Sequence, residues 1–490
     1  MVLYSILDFF FKKRYTQLLK RLQTFEESQK EVLKSIIERN KTCQYLVSHK
    51  IKNIDDFEKL PLVHYEELEN EIVSLGSTKY FALSSEKIIA CSKSSGTTST
   101  SKWIPQSKKN IKYNYKAGFD LLSSFIFHHP NSKITAGKNF SLTGSYEPKN
   151  GLIVGDISAL IAFYLPSIFH FFRIPSKKIA LIQNWDKKLE ALIPKLIQSD
   201  IRWIAGVPSW IKVIIDRIEF ETQKSILEIW PNLEVFFYGG TDIAIYKAQF
   251  DQIFQKKVVY WQTYNASEGF FAIQISPNIS DMALMSDYGV YFEFLCVKSN
   301  EIVQFKNLKI GNKYELIITN SCGLWRYRIG DVVEITNLDP LKIKIVGRTK
   351  HYINAFGEEL MIHNVEKALE ILNQEMVFEI AHYTVAPKID ENDKGFHQWL
   401  IEFKMSPSDI SIFEKKLDTI LQSLNSDYKA KRAHDLIMKN LQIIPAKDGQ
   451  FEKWLRNQNR LSAQAKIPKL SNDTLILDKI LSNSQLRNNH

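Results

Sequence analysis

Apolar positions near the start of the chain recur with the period of an α-helix. Between about residues 18 and 48 they fall among Glu and Lys at roughly 3.6-residue spacing, at Leu22, Phe25, Val32, Ile36 and Ile37. The pattern predicts an N-terminal layer of helices.

The middle of the chain shows a different pattern, in which short apolar runs flank a longer amphipathic one. The run LEVFFYGG (233–240) is followed by TDIAIYKAQFDQIFQKK and then by VVYWQTY. Short runs of bulky and β-branched residues are typical of strands, and the amphipathic segment is typical of a helix. Strand, helix and strand in this order predict a βαβ unit in a largely parallel sheet that is covered on both faces.

Alternating patterns follow in the last third of the chain. In LKIKIVGRTK the alternation puts Leu341, Ile343 and Ile345 on one face and lysines on the other. A boundary is predicted at the end of this segment, which divides the chain into domains 1–347 and 348–490. Beyond it, HQWLIEFKM, DISIFEKKLDTILQSLNSDY and KNLQIIPA predict a smaller α+β domain. The predicted fold class is α/β, with a large N-terminal domain of helices and mixed, largely parallel covered sheets.

Composition and charge fit an ordered globular protein. The chain has 490 residues, of which 44% are hydrophobic and 12% aromatic, so it can bury a large core. The net charge of +10 would attract an anion, yet the lysines are scattered along the chain, which indicates a solvated basic surface. Neither zinc-finger spacing nor an RNP-like run is present, so nucleic-acid binding is not expected.

The cysteines and the first residues bear on the cell compartment. Cys43, Cys91, Cys296 and Cys322 lie far apart and match neither a disulfide framework nor a CxxC metal site, which favours a reducing cytoplasm. The opening MVLYSILDFFFKKRY is a poor match to a signal peptide, because Asp8 interrupts its apolar run and its cations follow that run. It is also too short to span a bilayer. Two interpretations stay open: a helix packed on the domain, and a helix that touches a membrane surface without stable insertion.

A hydroxyl-rich loop carries the first candidate chemistry. In KIIACSKSSGTTSTSKWIPQS (87–107), Gly96 and Lys102 have the spacing of the Walker A glycine and lysine. However, Ser101 replaces the second glycine and Trp103 replaces the magnesium-binding hydroxyl, so the segment is not a P-loop. From the residues alone it is either a loop that donates hydroxyl protons to phosphate or an exposed Ser/Thr linker.

Four motifs in a fixed order resolve this choice through a resemblance. The loop is preceded by FEKLPLVHYEEL (57–68) and followed by YNASE (264–268), YRIGDVVEI (327–335) and GRTKHYI (347–353). The set resembles the acyl-adenylate-forming superfamily and, in particular, the GH3 family of acyl-acid amido synthetases. The resemblance covers nearly the whole chain. It implies that a small carboxylic acid attacks the α-phosphate of ATP, and that an amine, usually an amino acid, then displaces AMP.

The resemblance also implies roles for the loop and for Asp331. The loop would hold the ATP phosphates, with Lys102 as a catalytic helper, and Asp331 would accept hydrogen bonds from the ribose hydroxyls. The alternative for Asp331 is a turn-capping residue after Gly330. The residues that would contact the phosphates are Ser94, Ser95, Gly96, Thr97 and Thr98.

Further roles follow for the YNASE and FFYGGTD segments. Glu268 would face the α-phosphate through Mg²⁺, because a carboxylate beside a phosphate is repulsive unless a hard cation bridges them. Its alternative is an exposed acidic residue at a strand end. Tyr264 and Asn265 would lie near the adenine, and a strand-to-helix turn would form another wall of the adenine site. That turn consists of Gly239, Gly240 and Thr241.

The last implied roles concern a mobile C-terminal domain. Arg348 and Lys350 match the place where superfamily members bind ribose and then hinge between the two half-reactions. Lys466, in SAQAKIPK (462–469), would be the mobile lysine that neutralises the carboxylate and phosphate. The chain departs from the family pattern at Thr100, where glycine is usual, in a loop one residue shorter before Lys102, and at Lys469, where arginine is usual. These departures concern the phosphate grip, not the class.

The acid itself is expected between the sheet and the N-terminal helices. In RWIAGVPSWI (202–211), Trp203, Val207 and Trp210 either clasp the acid or belong to the core. The overall expectation is a cytoplasmic, monomeric ligase that uses ATP and Mg²⁺. Two alternatives stay open: an acyl-CoA ligase with the same adenylation step, and a non-catalytic basic binding protein that keeps the fold.

Overall fold

The computed structural model describes residues 2–75, 81–94, 102–149, 151–182, 184–240, 243–277, 281–348, 352–391, 393–457 and 468–482. The contacts divide the chain into two compact units, and the division falls between the described residues 348 and 352. The predicted boundary lies beside that division.

The first unit begins with helices and continues with alternating strands and helices. Its helices are α1 (Val2–Gln23), α2 (Phe25–Asn40), α3 (Gln44–Ser48), α4 (Tyr65–Val73), α5 (Lys108–His128), α6 (Ile157–Tyr164), α7 (Lys177–Ala180), α8 (Trp185–Ile197), α9 (Pro208–Thr222), α10 (Ile226–Ile229) and α11 (Ala244–Ile253), with 3₁₀ turns at Ile54–Lys59, Ser167–Phe172 and Phe305–Asn307. Its strands are β1 (Ile88–Ser94), β2 (Lys102–Ser107), β3 (Lys138–Ser141), β4 (Tyr146–Lys149), β5 (Leu152–Asp156), β6 (Arg173–Ile174), β7 (Ile201–Gly206), β8 (Val235–Tyr238), β9 (Val259–Ala266), β10 (Gly269–Ile273), β11 (Met282–Leu284), β12 (Val290–Cys296), β13 (Ile302–Val303), β14 (Lys313–Asn320), β15 (Tyr327–Leu338) and β16 (Leu341–Arg348).

The predicted helical layer is present as α1 and α2. Over its described side chains, α1 buries an apolar stripe at helical spacing and packs on the core beside α5. The stripe consists of Phe11, Tyr15, Leu18 and Leu22. Arg14 and Arg21 of α1 form ion pairs of 2.7 and 2.8 Å with the fully buried Asp120 of α5. The helix therefore packs on the first unit, as one of the two interpretations expected. No helix in the described ranges combines the length and apolarity needed to cross a bilayer.

Two sheets organise the described part of this unit. The smaller has the strand order β2-β1-β5-β4, and the larger has the order β13-β12-β14-β15-β16-β11-β10-β9-β8-β7-β3-β6. In the larger sheet β6, β3, β7, β8 and β9 pair in parallel, whereas all the other neighbours in this order, from β9 through β11 and β16 to β13, pair antiparallel. The predicted βαβ unit is confirmed as β8-α11-β9.

The parallel strands place several turns at one edge of the sheet. β3, β7, β8 and β9 run in the same direction, so the segments that follow them lie along their carboxyl ends. Ligands of open α/β sheets bind at such an edge. The turns after β8 and β9 contain two of the predicted site segments.

The second unit is a smaller α+β structure, as predicted. Its elements are β17 (Tyr352–Ile353), β18 (Leu360–Met361), α12 (Ile362–Glu375), β19 (Glu379–Ile389), β20 (Gly395–Met405), α13 (Ile410–Leu424), α14 (Ser426–Arg432), a 3₁₀ turn (Ala433–Asp435), β21 (Gln442–Pro445), α15 (Gln450–Asn457) and α16 (Leu475–Ser482). β20 pairs antiparallel with β19 and parallel with β21. The α/β class is therefore confirmed, and the mobility of this unit stays a prediction.

Candidate active site

The hydroxyl-rich loop is closed by a pair of antiparallel strands. β1 ends at Ser94 and β2 begins at Lys102, and these two residues are direct partners in the ladder. The ladder therefore fixes both ends of the loop. Four of the predicted phosphate-binding residues lie between them, outside the described residues: Ser95, Gly96, Thr97 and Thr98.

Lys102 lies over an aromatic ring of α4. Its Nζ is 5.3 Å from the centre of the Tyr65 ring, within the range of cation–π attraction. The Tyr65 hydroxyl accepts a hydrogen bond of 2.8 Å from the backbone N–H of Trp103. Burial raises the pKa of Tyr65 to about 12, and the charge of Glu268 is among the smaller causes of the rise. Tyr65 belongs to the FEKLPLVHYEEL motif, but the sequence pattern assigned it no role of its own.

Glu268 lies in the two-residue turn between β9 and β10, and hydrogen bonds connect this turn to β1 and β2. The Ser267 carbonyl accepts hydrogen bonds from Ser92 Oγ (2.9 Å) and from Gln106 Nε2 (2.7 Å). The Ser267 hydroxyl donates to the Lys93 carbonyl at 3.1 Å. Ser92 and Gln106 are both fully buried. No sequence motif identified Ser92 or Gln106. The signal that could have identified them is a polar residue inside an otherwise apolar strand.

The Glu268 side chain is buried rather than exposed. Only 6% of the residue is accessible, so the alternative of an exposed acidic residue is wrong. Its backbone carbonyl accepts a hydrogen bond of 3.1 Å from Asn320 Nδ2, a fully buried side chain at the end of β14. A buried carboxylate is costly unless a cation or several donors face it. Glu268 is therefore a buried carboxylate and remains the candidate ligand for a bound cation.

Glu268 fits a magnesium ion carried by ATP better than an ion held by protein alone. Within the described ranges, no group of three or more His, Cys, Asp and Glu side chains is placed to hold a metal. Mg²⁺ in nucleotide sites commonly takes one or two protein carboxylates and completes its shell with phosphates and waters. One buried carboxylate, next to a turn that is hydrogen-bonded to β1 and β2, meets that requirement.

Tyr264 and Asp331 are joined although their strands are not neighbours. The Tyr264 hydroxyl donates a hydrogen bond to Asp331 Oδ2, and both residues are buried. Three strands separate β9 from β15 in the sheet order, so the sheet curls to bring YNASE against YRIGDV. Asp331 also lies directly opposite Arg348 in the β15–β16 ladder. Segments from three of the predicted motifs therefore meet here.

A bulge in β15 sets the position of Asp331. The β14–β15 register shifts between Glu315 and Ile317, so that three residues of β15 oppose a single residue of β14. The middle one of the three, Gly330, has φ +86°, which favours glycine. A bulge of this kind redirects the neighbouring side chain. Asp331 thus lies within a strand and not in a simple turn.

The glycine pair after β8 touches the start of the YNASE segment. A Cβ on Gly239 would lie 2.7 Å from both the carbonyl oxygen and Oγ1 of Thr263, and Gly240 has φ +82°. A side chain at Gly239 would force β8 and β9 apart, and the positive φ of Gly240 favours glycine. The third predicted member, Thr241, lies outside the described residues.

Asn265 provides the structural test of fit for an adenine. Its Oδ1 is buried and has no hydrogen-bond partner in the described part of the chain. A buried acceptor without a donor is costly, and an exocyclic amino group is a donor that would satisfy it. Together with the carboxylate of Asp331, this acceptor fits a nucleoside.

The three predicted acid-pocket residues are in two places. Trp203 of β7 packs edge-to-face on Phe237 at 5.5 Å, beside the core that α5 covers. Val207 precedes α9, and its Cγ2 would lie 3.3 Å from a Cβ on Gly240. The Trp210 backbone N–H donates to the Val207 carbonyl at 3.1 Å. Val207 and Trp210 are therefore near the glycine turn, and Trp203 is on the helix-covered face.

Other predicted residues cannot be assigned contacts. Lys350 and Lys466 lie outside the described residues, and only the backbone of Arg348 is described. Their predicted roles stay predictions. A groove of about 390 Å³ lies elsewhere, along α2, and contains none of the motif residues. We place the candidate site at the motifs because the buried carboxylates and the orphaned amide oxygen are there.

Three domain families match this chain one after another, from its N-terminal part to its C-terminal part. Residues 14–162 match the GH3 family N-terminal domain, residues 283–348 match the GH3 family central domain, and residues 363–475 match the GH3 family C-terminal domain. These matches cover more than half of the chain.

Individual proteins that are similar in sequence belong to the same family. The chain is 23% identical to the indole-3-acetic acid-amido synthetase GH3.3 of Arabidopsis thaliana, over 92% of this chain and 90% of that protein. It is 22% identical to GH3.4 of the same plant, an indole-3-acetic acid-amido synthetase too, over 87% and 85%.

Solved structures share the fold. The GH3.15 acyl acid amido synthetase has a TM-score of 0.62 at 19% identity, with 95% of each chain covered. A 2-hydroxyisobutyryl-CoA ligase has a TM-score of 0.54 at 14% identity, over 97% of this chain and 92% of that one. The resemblance stated from the motifs is confirmed: the chain belongs to the GH3 family of amide-forming ligases.

Proposed function

We propose that this protein adenylates a small carboxylic acid with Mg-ATP and transfers the acyl group to the amine of an amino acid. The observation that carries the proposal is the meeting of the phosphate-loop hairpin, YNASE and YRIGDV around two buried carboxylates, Glu268 and Asp331. These residues are far apart in sequence. In the proposal, Asp331 binds the nucleoside part of ATP and Glu268 lies at its phosphate part.

The chemistry has two balanced steps. A carboxylate oxygen of the acid attacks the α-phosphorus of ATP, the bond to the bridging oxygen of the β-phosphate breaks, and pyrophosphate leaves. The amine nitrogen then attacks the acyl carbon, the bond to the AMP oxygen breaks, and the amine loses a proton. Most of the protein's contribution is positioning and charge placement.

The residues divide this work. Asp331 accepts from the ribose hydroxyls while Tyr264 donates to it and fixes its orientation. Asn265 Oδ1 accepts from the adenine amino group. Glu268 holds Mg²⁺, which would neutralise phosphate charge when bound. Lys102, held over Tyr65, supplies a positive charge at the end of the phosphate loop.

The first experiment is ATP–pyrophosphate exchange over a panel of aromatic, alicyclic and aliphatic acids with Mg²⁺ and without an amine. We expect exchange with at least one acid. A folded, ATP-binding protein that supports no exchange with any acid would contradict adenylation. No ATP binding at all would favour the non-catalytic alternative.

A second experiment separates the two ligase products. The similarity in fold to a CoA ligase supports thioester formation as the second candidate, since both reactions share the adenylate. The accepted acid is incubated with ATP, CoA and a mixture of amino acids, and the products are separated by mass. We expect an amide; a thioester alone would contradict the amide assignment. Cytoplasmic location and a monomeric state belong to the same proposal.

A further inference from the structure

A half-buried arginine, whose Nε is fully buried, lies at the edge of the parallel strands, away from the nucleotide motifs. Arg173 is the first residue of β6, and one Nη donates a hydrogen bond of 3.1 Å to the Ser141 carbonyl at the end of β3. Its Nε is buried and has no hydrogen-bond partner among the described residues. A guanidinium has five N–H donors and always carries its charge. A guanidinium whose buried Nε has no partner among the described residues is unfavourably placed unless something else binds to it.

The groups around Arg173 supply no negative charge in the described part of the chain. The Tyr115 phenol of α5 is its electrostatic partner, and burial lowers the pKa of Arg173 to about 10. Burial also lowers the pKa of His170, and the charges of Arg173 and Lys177 lower it further. The cluster is therefore cationic, with a phenol and an imidazole beside the guanidinium. It is suited to an anion.

The strand register puts this cation beside a predicted acid-pocket residue. Arg173 is opposite Asn139 in the β3–β6 pair, and Trp203 is opposite the same Asn139 in the β3–β7 pair. Residues in register on neighbouring strands share a face of the sheet. Arg173 and Trp203 therefore flank one position on the face that α5 covers.

Distance separates this cluster from the reacting atoms. From Ser141 to β9 the sheet crosses β7 and β8, and three strand spacings amount to roughly 14 Å. A carboxylate that attacks the α-phosphate must lie near Glu268, and an amine that attacks the acyl carbon must lie within bonding reach of it. Arg173 is too far away for either group. It faces the end of the acid that is remote from the reaction.

We propose that Arg173 binds a second carboxylate, carried at the remote end of the acid substrate. The inference rests on the proposed adenylation. The substrate class is a dicarboxylic acid with an apolar middle, which packs along the Trp203 side of the sheet. One carboxylate reacts at the nucleotide end, and the guanidinium fork holds the other through paired N–H donors.

Binding without ATP tests the subsite directly. Isothermal titration compares a medium-chain α,ω-dicarboxylic acid with the straight-chain monocarboxylic acid of the same length. For the wild type we expect the dicarboxylic acid to bind at least about ten-fold more tightly. Arg173→Met should abolish that preference, and Arg173→Lys should restore part of it. Equal binding of the two acids by the wild type, or an unchanged preference in Arg173→Met, would overturn the proposal.

A matched control removes an arginine that is exposed and already paired with a carboxylate. Arg217→Met deletes an exposed guanidinium of α9 that pairs with Glu221 along the helix. It should keep the full preference for the dicarboxylic acid. The same loss in both variants would mean that net charge, not Arg173, attracts the second carboxylate. If Arg173→Met does not fold, the wild-type pair of acids and Arg173→Lys decide the question.

Exchange assays separate this proposal from the proposed function. The ratio of kcat/KM for the dicarboxylic acid to that for its monocarboxylic partner should fall about ten-fold in Arg173→Met. An equal fall for both acids would indicate a structural role and sink the subsite. Tight dicarboxylate binding without any exchange would refute adenylation and leave the subsite standing. Exchange with monocarboxylic acids, with no advantage for dicarboxylic acids in binding or turnover, would support adenylation and refute the Arg173 subsite.

Discussion

The parallel strands form a row from β9 across to β6, and the two ends of this row carry opposite charge. At the end where β9 approaches β15, the buried ionisable groups are the carboxylates Glu268 and Asp331. At the β6 edge the charged group is the half-buried guanidinium of Arg173, whose Nε is buried. A free carboxylate is repelled from the first end unless a metal ion intervenes, and it is attracted to the second.

In the proposed reaction, this difference in charge gives an order to substrate binding. An acid with two carboxylates is drawn to Arg173 in the absence of nucleotide, whereas its reacting carboxylate is accepted beside Glu268 only once Mg-ATP is present. Under this proposal Arg173 selects the acid, and Glu268 and Asp331 bind the nucleotide and its metal ion. The predictions below disturb one end or the connection between the two.

The largest effect is expected at the phosphate end. Glu268→Gln keeps the shape of the side chain and removes the metal-binding charge, so the rate of exchange should fall on the order of 1,000-fold. Exchange is measured at saturating Mg²⁺ and ATP. Glu147→Gln, at an exposed carboxylate paired with Lys93 on the neighbouring sheet, is the control and should retain activity. Near wild-type exchange in folded Glu268→Gln would contradict its role.

The nucleoside end should respond mainly through ATP affinity. Asp331→Asn still accepts from Tyr264 but loses the charge that favours two ribose donors, so KM for ATP should rise on the order of 100-fold. The control is Asp216→Asn, at a half-exposed carboxylate of α9 paired with Lys212. A rise in KM for the acid with an unchanged KM for ATP would place Asp331 elsewhere in the reaction.

The segment that follows β3 is stabilised by a buried lysine. Lys188 of α8 donates to the carbonyls of Thr143 (3.0 Å) and Gly144 (2.9 Å), which follow β3. Lys188→Met leaves both carbonyls without this donor and should reduce the free energy of unfolding by about 1–3 kcal/mol. Urea unfolding measures the change. Lys195→Met, at an exposed lysine of the same helix, should change stability little.

The same lysine predicts a pH dependence of stability. Burial lowers the pKa of Lys188 from 10.5 to about 8, so between these values the unfolded chain binds more protons than the folded one. The stability of the wild type should therefore rise, relative to Lys188→Met, as the pH increases from about 8 towards 10.5. Below pH 8 the difference should be constant. A difference that stays constant across the whole range would contradict the burial of a charged amine.

The smallest effect is expected from the phenol that orients Asp331. Tyr264→Phe keeps the ring in its packing with Phe271 and removes one hydrogen bond, so KM for ATP should rise by about three- to ten-fold. The control is Tyr260→Phe, on the same strand as Tyr264; it removes a hydrogen bond to Asp251 of α11 and should leave KM unchanged. Equal changes in both variants would indicate a general loss of stability.

Part of the site follows from the sequence because motifs preserve chemistry in a short stretch. YNASE and YRIGDV identified Glu268, Tyr264 and Asp331, and the apolar runs identified β8, α11 and β9. The motif search missed Tyr65, Ser92 and Gln106. Their hydrogen bonds join residues tens to hundreds of positions apart, and no local pattern reports such a partner.

The sequence by itself determined the family, the α/β class and the residues predicted to bind a nucleotide, because period, turn chemistry and motif order are local properties. Only the tertiary structure decided which buried groups face one another. The curl that joins Tyr264 to Asp331, the bulge at Gly330 and the isolation of Arg173 all depend on strand register and sheet order. These are long-range choices made by packing, and the same short segments would be compatible with other pairings.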